Sequence, residues 1–372
     1  ENDVLEYFSQ GMTPDRESYE YALNSVASLL PKDCVRSLQL STSYGMMPKD
    51  TNLGLPHFSR SKVYAYDYLK RARSARYLED IYPAMVGWRG QANGTAIPKQ
   101  RTVWMMDHCE TILGSSILHP LLTKLRAQKG FSGWTTPDNV DLAITNLLYI
   151  AEENNTDILS CDFSKYDQSV SGDIIRDIFN IITYWFSDAR ERISLLTSTF
   201  HSCGLVTPNG VLMGRDGAIP SGSALTGLIG TLINVLVLFY LSHRLHTQVL
   251  GFEVLGDDSV YVLNPFPGEN QIGEVVSELG LEMNPKKQYV SDRSAHFLQR
   301  WHSRDYVVNN LCRGVRSPYR AINSMMSYER LKHNVGWSEF MDTARWIMQL
   351  ENVKWDPRFH SFIEFVKKGD RI

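Results

Sequence analysis

The chain has 372 residues, 43% apolar and 21% charged, enough apolar material for a large core in one domain or in two to three subdomains. Its formal net charge of −3 excludes a uniformly basic nucleic-acid coat but leaves room for a basic channel inside a near-neutral shell. The five cysteines (Cys34, Cys109, Cys161, Cys203, Cys312) are far apart with no Cys-x-x-Cys pair, which fits free, mostly buried thiols in a reducing compartment. His108-Cys109 and His201-x-Cys203 lack the spacing and the second ligand pair of a zinc site.

Residues 1–50 read as helical and peripheral, broken by Pro14, Pro31 and Pro48. The opening, Glu1-Asn2-Asp3-Val4-Leu5-Glu6, is acidic, shows no signal-peptide pattern and lacks an initiator Met, as an excised fragment would. From Arg60 to Arg101, nine basic residues (Arg60, Lys62, Lys70, Arg71, Arg73, Arg76, Arg89, Lys99, Arg101) stand against three acids (Asp67, Glu79, Asp80). Such an excess suits nucleic-acid contact, and for Lys70 to Arg76 it suits a solvated helix face equally well. Asp157-Ile-Leu-Ser-Cys-Asp162 reads as an apolar strand ending in an acid, followed by helix to about residue 200. Turn formers at Pro208-Asn209-Gly210 and Asp216-Gly217 predict a hairpin within 205–219. Residues 224–241 reach the minimum length of a membrane span, but Asn234, two Gly and two Thr interrupt them, so a buried core helix is expected.

Residues 252–263, Phe-Glu-Val-Leu-Gly-Asp-Asp-Ser-Val-Tyr-Val-Leu, set Gly256, Asp257 and Asp258 between two strand-forming runs. A hairpin with two acids at its tip is predicted. A helix over 269–280 then leads to Asn284-Pro285-Lys286-Lys287, a strand pair near 297–306, and a mainly helical tail after about 310. Strands interrupted by helical crossovers make an α+β or mixed α/β core.

Two carboxylates at one tip repel each other unless a cation lies between them, yet a bare Gly-Asp-Asp fits an ordinary polar turn as well. Asp162, at a strand end, supplies a third acid if the two strands are neighbours, and Asp167 follows five residues on. Three hard oxygen donors suit Mg²⁺ or Mn²⁺ rather than zinc. Two such ions about 3.5–4 Å apart are the clamp of nucleotidyl transfer. In Pro220-Ser221-Gly222-Ser223-Ala224-Leu225-Thr226 the small residues allow close backbone approach to a ligand, and the hydroxyls serve equally as helix caps.

The order Asp-x4-Asp (162, 167), Ser-Gly-x3-Thr (221, 222, 226) and Gly-Asp-Asp (256–258) resembles motifs A, B and C of viral RNA-dependent RNA polymerases. The forms Asp-Phe-Ser-x-Tyr-Asp-Gln-Ser and Pro-Ser-Gly-Ser-x-x-Thr are similar to those of picobirnavirus and partitivirus polymerases. Thr51-Asn-Leu-Gly-Leu-Pro56 resembles motif G, and Arg89 with Lys99-Gln-Arg101 resembles motif F. Asn284-Pro-Lys-Lys287 resembles motif D, and Phe297-Leu-Gln-Arg-Trp301 motif E.

The resemblance implies a helix-rich α+β right-hand fold with an antiparallel palm sheet. Residues 1–155 would carry the N-terminal segment and fingers, 156–171 and 216–300 the palm, 172–215 a fingers insertion, and 301–372 a thumb short for the family. Asp162 and Asp257 would be the principal metal ligands, with Asp258 in support. Asp167 would accept a hydrogen bond from the ribose 2′-OH, which Ser221, Gly222 and Thr226 help position. Arg101, Lys99 and Arg89 would pair with the triphosphate, and Lys287, or Lys286 in a shifted register, would be the general acid. The implied cofactors are two Mg²⁺ ions, with Mn²⁺ as substitute. The implied partners are RNA template and product, ribonucleoside triphosphates and capsid protein, with no membrane span. The implied setting is the virion interior and host cytoplasm of a double-stranded RNA virus.

One departure stands out. Many positive-strand polymerases place Asn four residues after the motif B Thr, where this chain has Gly230. Asn234 lies one helical turn further, as in partitivirus-like sequences, and reads as a structural residue behind the site. Three rivals remain. A reverse transcriptase would carry an aromatic gate in place of Asp167 and an aromatic-x-Asp-Asp in place of Gly256. A silent RNA-binding or virion protein would have lost a metal acid. A metal-dependent nuclease would need neither Asp167 nor the cations.

Overall fold

The first helix, α1 (Arg16–Ala27), begins where Asp15 accepts the Ser18 N–H at 2.9 Å, satisfying one of the amides a helix start leaves bare. The structure, a computed structural model, describes residues 11–47, 51–60, 62–91, 99–283, 288–326 and 338–369. After the short α2 (Leu40–Met46), part of the basic stretch forms α3 (Ala65–Ser74). The rest is an antiparallel hairpin of β1 (Ala84–Gln91) and β2 (Lys99–Met105). Sequence analysis misses this hairpin because Gly87 and Gly90 interrupt the alternation that marks a strand. Asp107 caps α4 (His108–Leu125) and is fully buried. It also accepts the Tyr82 N–H at 2.9 Å and the Arg71 guanidinium at 2.7 Å, tying α3, β1 and α4 together. Thr136 and Pro137 start α5 (Pro137–Glu153).

The strand expected at 157–162 is β3 (Ile158–Cys161), followed by the two-residue β4 (Phe163–Ser164). The helical stretch to residue 200 divides into α6 (Tyr166–Ser169), α7 (Gly172–Trp185) and α8 (Arg190–Ser202). The expected hairpin follows as β5 (Leu205–Thr207) and β6 (Gly210–Leu212). Next comes α9 (Thr226–Arg244), apolar on every side. It is long and apolar enough to cross a membrane, but 78% of its apolar window is buried inside the protein, the mark of a core helix. Leu228, Ile229, Leu232, Ile233, Leu236 and Leu238 are all enclosed, each contributing about 1.5–3 kcal/mol on burial.

One side of α9 receives α1. Tyr19, Ala22 and Val26 are buried there, and the Tyr240 hydroxyl accepts the Asp15 N–H at 2.8 Å. Residues 11–27 therefore belong to the main core, not to the periphery that sequence analysis expects. The short apolar stripe of α1 gives no sign of its depth until α9 supplies a partner.

The strands β7 (Gln248–Leu255) and β8 (Asp258–Asn264) form the acid-tipped hairpin. After α10 (Glu269–Glu278) and the two-residue β9 (Glu282–Met283) comes β10 (Tyr289–Ser291). The central sheet runs β10-β3-β8-β7, every pairing antiparallel. A second sheet, β2-β1-β5-β6, joins the basic hairpin to the β5–β6 pair. The pair β11 (Ser294–Phe297) and β12 (Arg300–Ser303) turns through Leu298 and Gln299, both at positive φ, a few residues before the expected position. A small pair, β13 (Val307–Val308) with β14 (Leu311–Cys312), precedes α11 (Pro318–Met326), α12 (Glu339–Val353) and α13 (Phe359–Gly369). These last helices close a small core of their own around Ala321, Met325, Val353 and Phe362.

Candidate active site

Ladder register places the acids. Cys161, the last residue of β3, pairs with Ser259, so Asp162 leaves its strand beside Asp258, which opens β8. Leu255 pairs with Asp258, leaving Gly256 and Asp257 as the turn. Gly256 has φ +63°, a left-handed conformation that side chains disfavour, and an added Cβ would meet no atom within 4 Å. The glycine is there for its backbone, not for space. Asp257 is exposed at the tip, while Asp162 and Asp258 are partly buried. The three backbones thus converge on one sheet edge. Among the described residues, however, no group of three His, Cys, Asp or Glu side chains closes on a single metal-holding point.

Asp167 reaches the same edge by a different route. Lys165, at φ +48°, turns the chain into α6, and the Asp167 carbonyl accepts the Ile219 N–H at 2.6 Å. Its carboxyl keeps some solvent access but is crowded by protein. Burial first, and then the charge of Asp257, push it up to about 7, while Arg101 pulls it down. Asp167 is therefore in electrostatic reach of both the acid tip and the basic hairpin. Burial first, then Tyr261, Asp257 and Asp167, also raise the neighbouring Tyr166 hydroxyl.

In the basic hairpin, Arg89 pairs directly with Arg101, so the two share one face, and both are exposed. Lys99 opens β2 opposite Gln91. The expected motif D lysines, Lys286 and Lys287, lie outside the described residues. The next residue, Gln288, donates its amide to the Asp162 carbonyl at 2.7 Å.

The segment Pro220–Leu225 is a loop ahead of α9, and Thr226 is the first residue of the helix. The Ser221 hydroxyl donates to the Thr102 carbonyl at 3.1 Å, and that of Thr226 to the Pro220 carbonyl at 2.7 Å. A hydroxyl that donates still has lone pairs to accept with. At Gly222 an added Cβ would lie 1.7 Å from the Trp104 carbonyl oxygen. The close approach this glycine permits is to β2, where sequence analysis expects a ligand.

Two residues of the site escaped sequence analysis. Glu110, buried in α4, accepts the Ser223 hydroxyl at 2.5 Å, and burial pushes its carboxyl up to about 7. Tyr166 donates its hydroxyl to the Gly230 carbonyl at 2.8 Å. No local pattern reveals either partner, since each contact spans more than 60 residues of sequence. Asn234 is fully buried and donates to the Gly256 carbonyl at 2.9 Å. All five cysteines are free, and His108 is a buried core imidazole whose desolvation lowers its pKa to about 4.

Comparison with known proteins gives this geometry a family. A family model described as viral RNA-dependent RNA polymerase matches residues 88–369. A human picobirnavirus protein named as a potential RNA-dependent RNA polymerase is 29% identical over 352 residues, covering 88% of this chain and 63% of its own length. An RNA-directed RNA polymerase from Cryptosporidium parvum virus 1 is 27% identical over 303 residues, covering 75% of this chain and 57% of its own. The chain thus spans about three fifths of the length of these curated relatives. Two crystal structures of a human picobirnavirus RNA-dependent RNA polymerase, one an insertion-loop deletion mutant, match at TM-score 0.86 and 26% identity. They cover all of this chain, which corresponds to 76% of the deletion mutant and 73% of the other. With the antiparallel acid-bearing sheet, the basic hairpin and these matches together, the chain belongs to the viral RNA-dependent RNA polymerase family and has its right-hand α+β fold.

Proposed function

We propose that the protein performs template-directed RNA synthesis, copying a double-stranded viral RNA genome by two-metal nucleotidyl transfer from ribonucleoside triphosphates. One observation carries the reading: β3 and the β7–β8 turn bring Asp162, Asp257 and Asp258 to one sheet edge, with Asp167 in the field of both Asp257 and Arg101. The right-hand partition is fingers up to residue 155 and over 172–215, palm over 156–171 and 216–300, and thumb from 301.

The donors at the edge are carboxylate oxygens, the hard ligands that Mg²⁺, or Mn²⁺ in its place, selects. When bound, two such ions supply an activated 3′-hydroxyl and charge neutralisation on the leaving pyrophosphate. Asp162 and Asp257 would hold them, with Asp258 in support. Asp167 accepts from the 2′-OH of the incoming ribonucleotide, a contact deoxyribose does not offer. Ser221 and Thr226 position the same sugar through their remaining lone pairs, and Gly222 seats their loop against β2. Arg101, Arg89 and Lys99 take the triphosphate in forked, charge-assisted hydrogen bonds. Lys287, or its neighbour Lys286, protonates the pyrophosphate; Gln288, the residue that follows them, donates to the Asp162 carbonyl. The same reading gives the protein capsid protein as a partner and a place in the virion interior and host cytoplasm.

The test is Mg²⁺-dependent incorporation of labelled ribonucleotide on an RNA template, wild type against Asp257→Ala. Wild type should incorporate and the variant should lose about a thousandfold, the equivalent of several kcal/mol of charge stabilisation. Equal incorporation by both, or none by wild type while RNA still binds, overturns the assignment.

A further inference from the structure

We propose that α9 sets the geometry of the acid edge through a polar bracket of Gly230, Thr231 and Asn234, which makes Thr231 and Asn234 positioning residues for the turn that carries Asp257. The proposal rests on the polymerase reading of that edge. Its starting point is a conflict within α9. The helix is enclosed by apolar neighbours, yet Thr231 and Asn234 are both 0% exposed. Polar side chains buried in such surroundings are costly unless every group finds a partner.

Their partners all lie on the catalytic hairpin or on α9 itself. The Thr231 hydroxyl donates to the Gly227 carbonyl at 2.6 Å and accepts the Gly256 N–H at 2.8 Å. Asn234 donates to the Gly256 carbonyl at 2.9 Å, and its own amide oxygen accepts the Tyr261 hydroxyl from β8. One helix therefore holds both backbone polar groups of Gly256, the left-handed residue immediately before Asp257. In most turns these groups would face water and leave the tip free to rock.

The third member reaches the sugar-reading acid. The Gly230 carbonyl accepts the hydroxyl of Tyr166, the residue before Asp167. A Cβ at 230 would sit 3.5 Å from the Tyr166 ring and 3.7 Å from the Gly256 Cα. Alanine would fit there, but an asparagine side chain would have to displace the ring or the turn. Gly230 thus reflects a different way of joining motifs A, B and C: the tyrosine and the turn fill the space an asparagine at that position would take. Through residues 230, 231 and 234 the same stripe of helix fixes the acid tip and Asp167 relative to each other.

A matched control lies elsewhere in the chain. Buried Thr145 donates to the Asp141 carbonyl at 2.6 Å and accepts the Cys312 N–H at 2.9 Å, the same chemistry as Thr231 but outside the catalytic hairpin. The experiment measures Mn²⁺ affinity by electron paramagnetic resonance and melting temperature for wild type, Thr231→Val, Thr231→Ser and Thr145→Val. Thr231→Val should weaken Mn²⁺ binding about three- to tenfold, the factor an unmade buried hydrogen bond is worth, and Thr231→Ser should restore it. Thr145→Val should melt earlier with Mn²⁺ affinity unchanged. Should Thr231→Val not fold, the milder Thr231→Cys, a weak acceptor, takes its place. Tyr166→Phe should reduce ribo- over deoxyribonucleotide discrimination about three- to tenfold while Mn²⁺ affinity holds. If Thr231→Val only melts earlier, as Thr145→Val does, and binds Mn²⁺ as wild type does, the bracket is structural and the proposal fails. A wild type that binds Mn²⁺ but incorporates no nucleotide overturns the polymerase reading instead, and the Mn²⁺ ratios still judge the bracket.

Discussion

Asp141 and Asp257 are acids of one chain in opposite surroundings. Asp141, on α5, is 0% exposed, with Arg300 at 3.4 Å, Arg313 at 3.3 Å and the Gly314 N–H at 3.1 Å around its carboxylate. Arg313 in turn lies over the Trp355 ring, at 4.3 Å, which fastens the tail helices to the sheet. Asp257 stands exposed at a turn, next to Gly256, whose backbone N–H and carbonyl are both bonded to α9. The first acid is enclosed with cations of its own chain and holds the fold. The second is presented at the turn between β7 and β8, open to solvent. Removing a charge should therefore cost stability in one region and activity in the other.

The sharpest way to break this contrast is to exchange the effects. Asp257→Asn should lose about a thousandfold in incorporation with a melting temperature close to wild type, read by single-turnover extension and calorimetry. Asp141→Asn should do the reverse. It strands the buried Arg300 guanidinium, while Arg313 keeps Asp138 at 2.7 Å, and should destabilise the protein by about 3–5 kcal/mol in denaturant titration, with the remaining folded molecules still active. An Asp257 variant that unfolds, or an Asp141 variant of full stability, would erase the distinction.

Smaller effects refine it. Arg101→Ala removes an exposed cation that faces Asp167. Losing charge-assisted hydrogen bonds of about 1.5–3 kcal/mol should raise KM for the nucleotide by about ten- to a hundredfold, with stability within about 0.5 kcal/mol of wild type. Asp167→Ala should weaken discrimination of ribo- over deoxyribonucleotides more than it weakens Mg²⁺ binding, as competition between the two substrates will show. Unchanged sugar selectivity would remove the role given to Asp167. The smallest effect is expected at Gly256→Ala, a loss of about 1–2 kcal/mol in thermal unfolding. The site has room for the methyl group, so the cost comes only from the left-handed backbone.

The legible parts of this molecule were those whose signals are local. Alternation and turn formers marked β3 and the β7–β8 hairpin, and the polar interruptions of α9 marked a core helix. The order of the acidic and Ser-Gly motifs carried the family. What sequence analysis missed depends on partners distant in the chain. The basic hairpin was hidden by its own glycines, and α1 looked peripheral because α9, which covers it, lies some two hundred residues away. Gly222 read as room for a ligand, whereas Trp104 occupies that side. Tyr166 entered only as part of the motif A form and Thr231 only as a polar interruption of an apolar run; their roles come from the groups they meet across the fold.

The central claim is that the edge formed by Asp162, Asp257 and Asp258 holds the reacting metal ions. Anomalous scattering from Mn²⁺ in crystals grown with RNA template and a non-hydrolysable nucleotide tests it most directly. Peaks bridging Asp162 and Asp257, with the nucleotide sugar against Asp167, are the predicted result. Mn²⁺ bound only elsewhere, with that edge bare while the nucleotide is in place, would contradict the account.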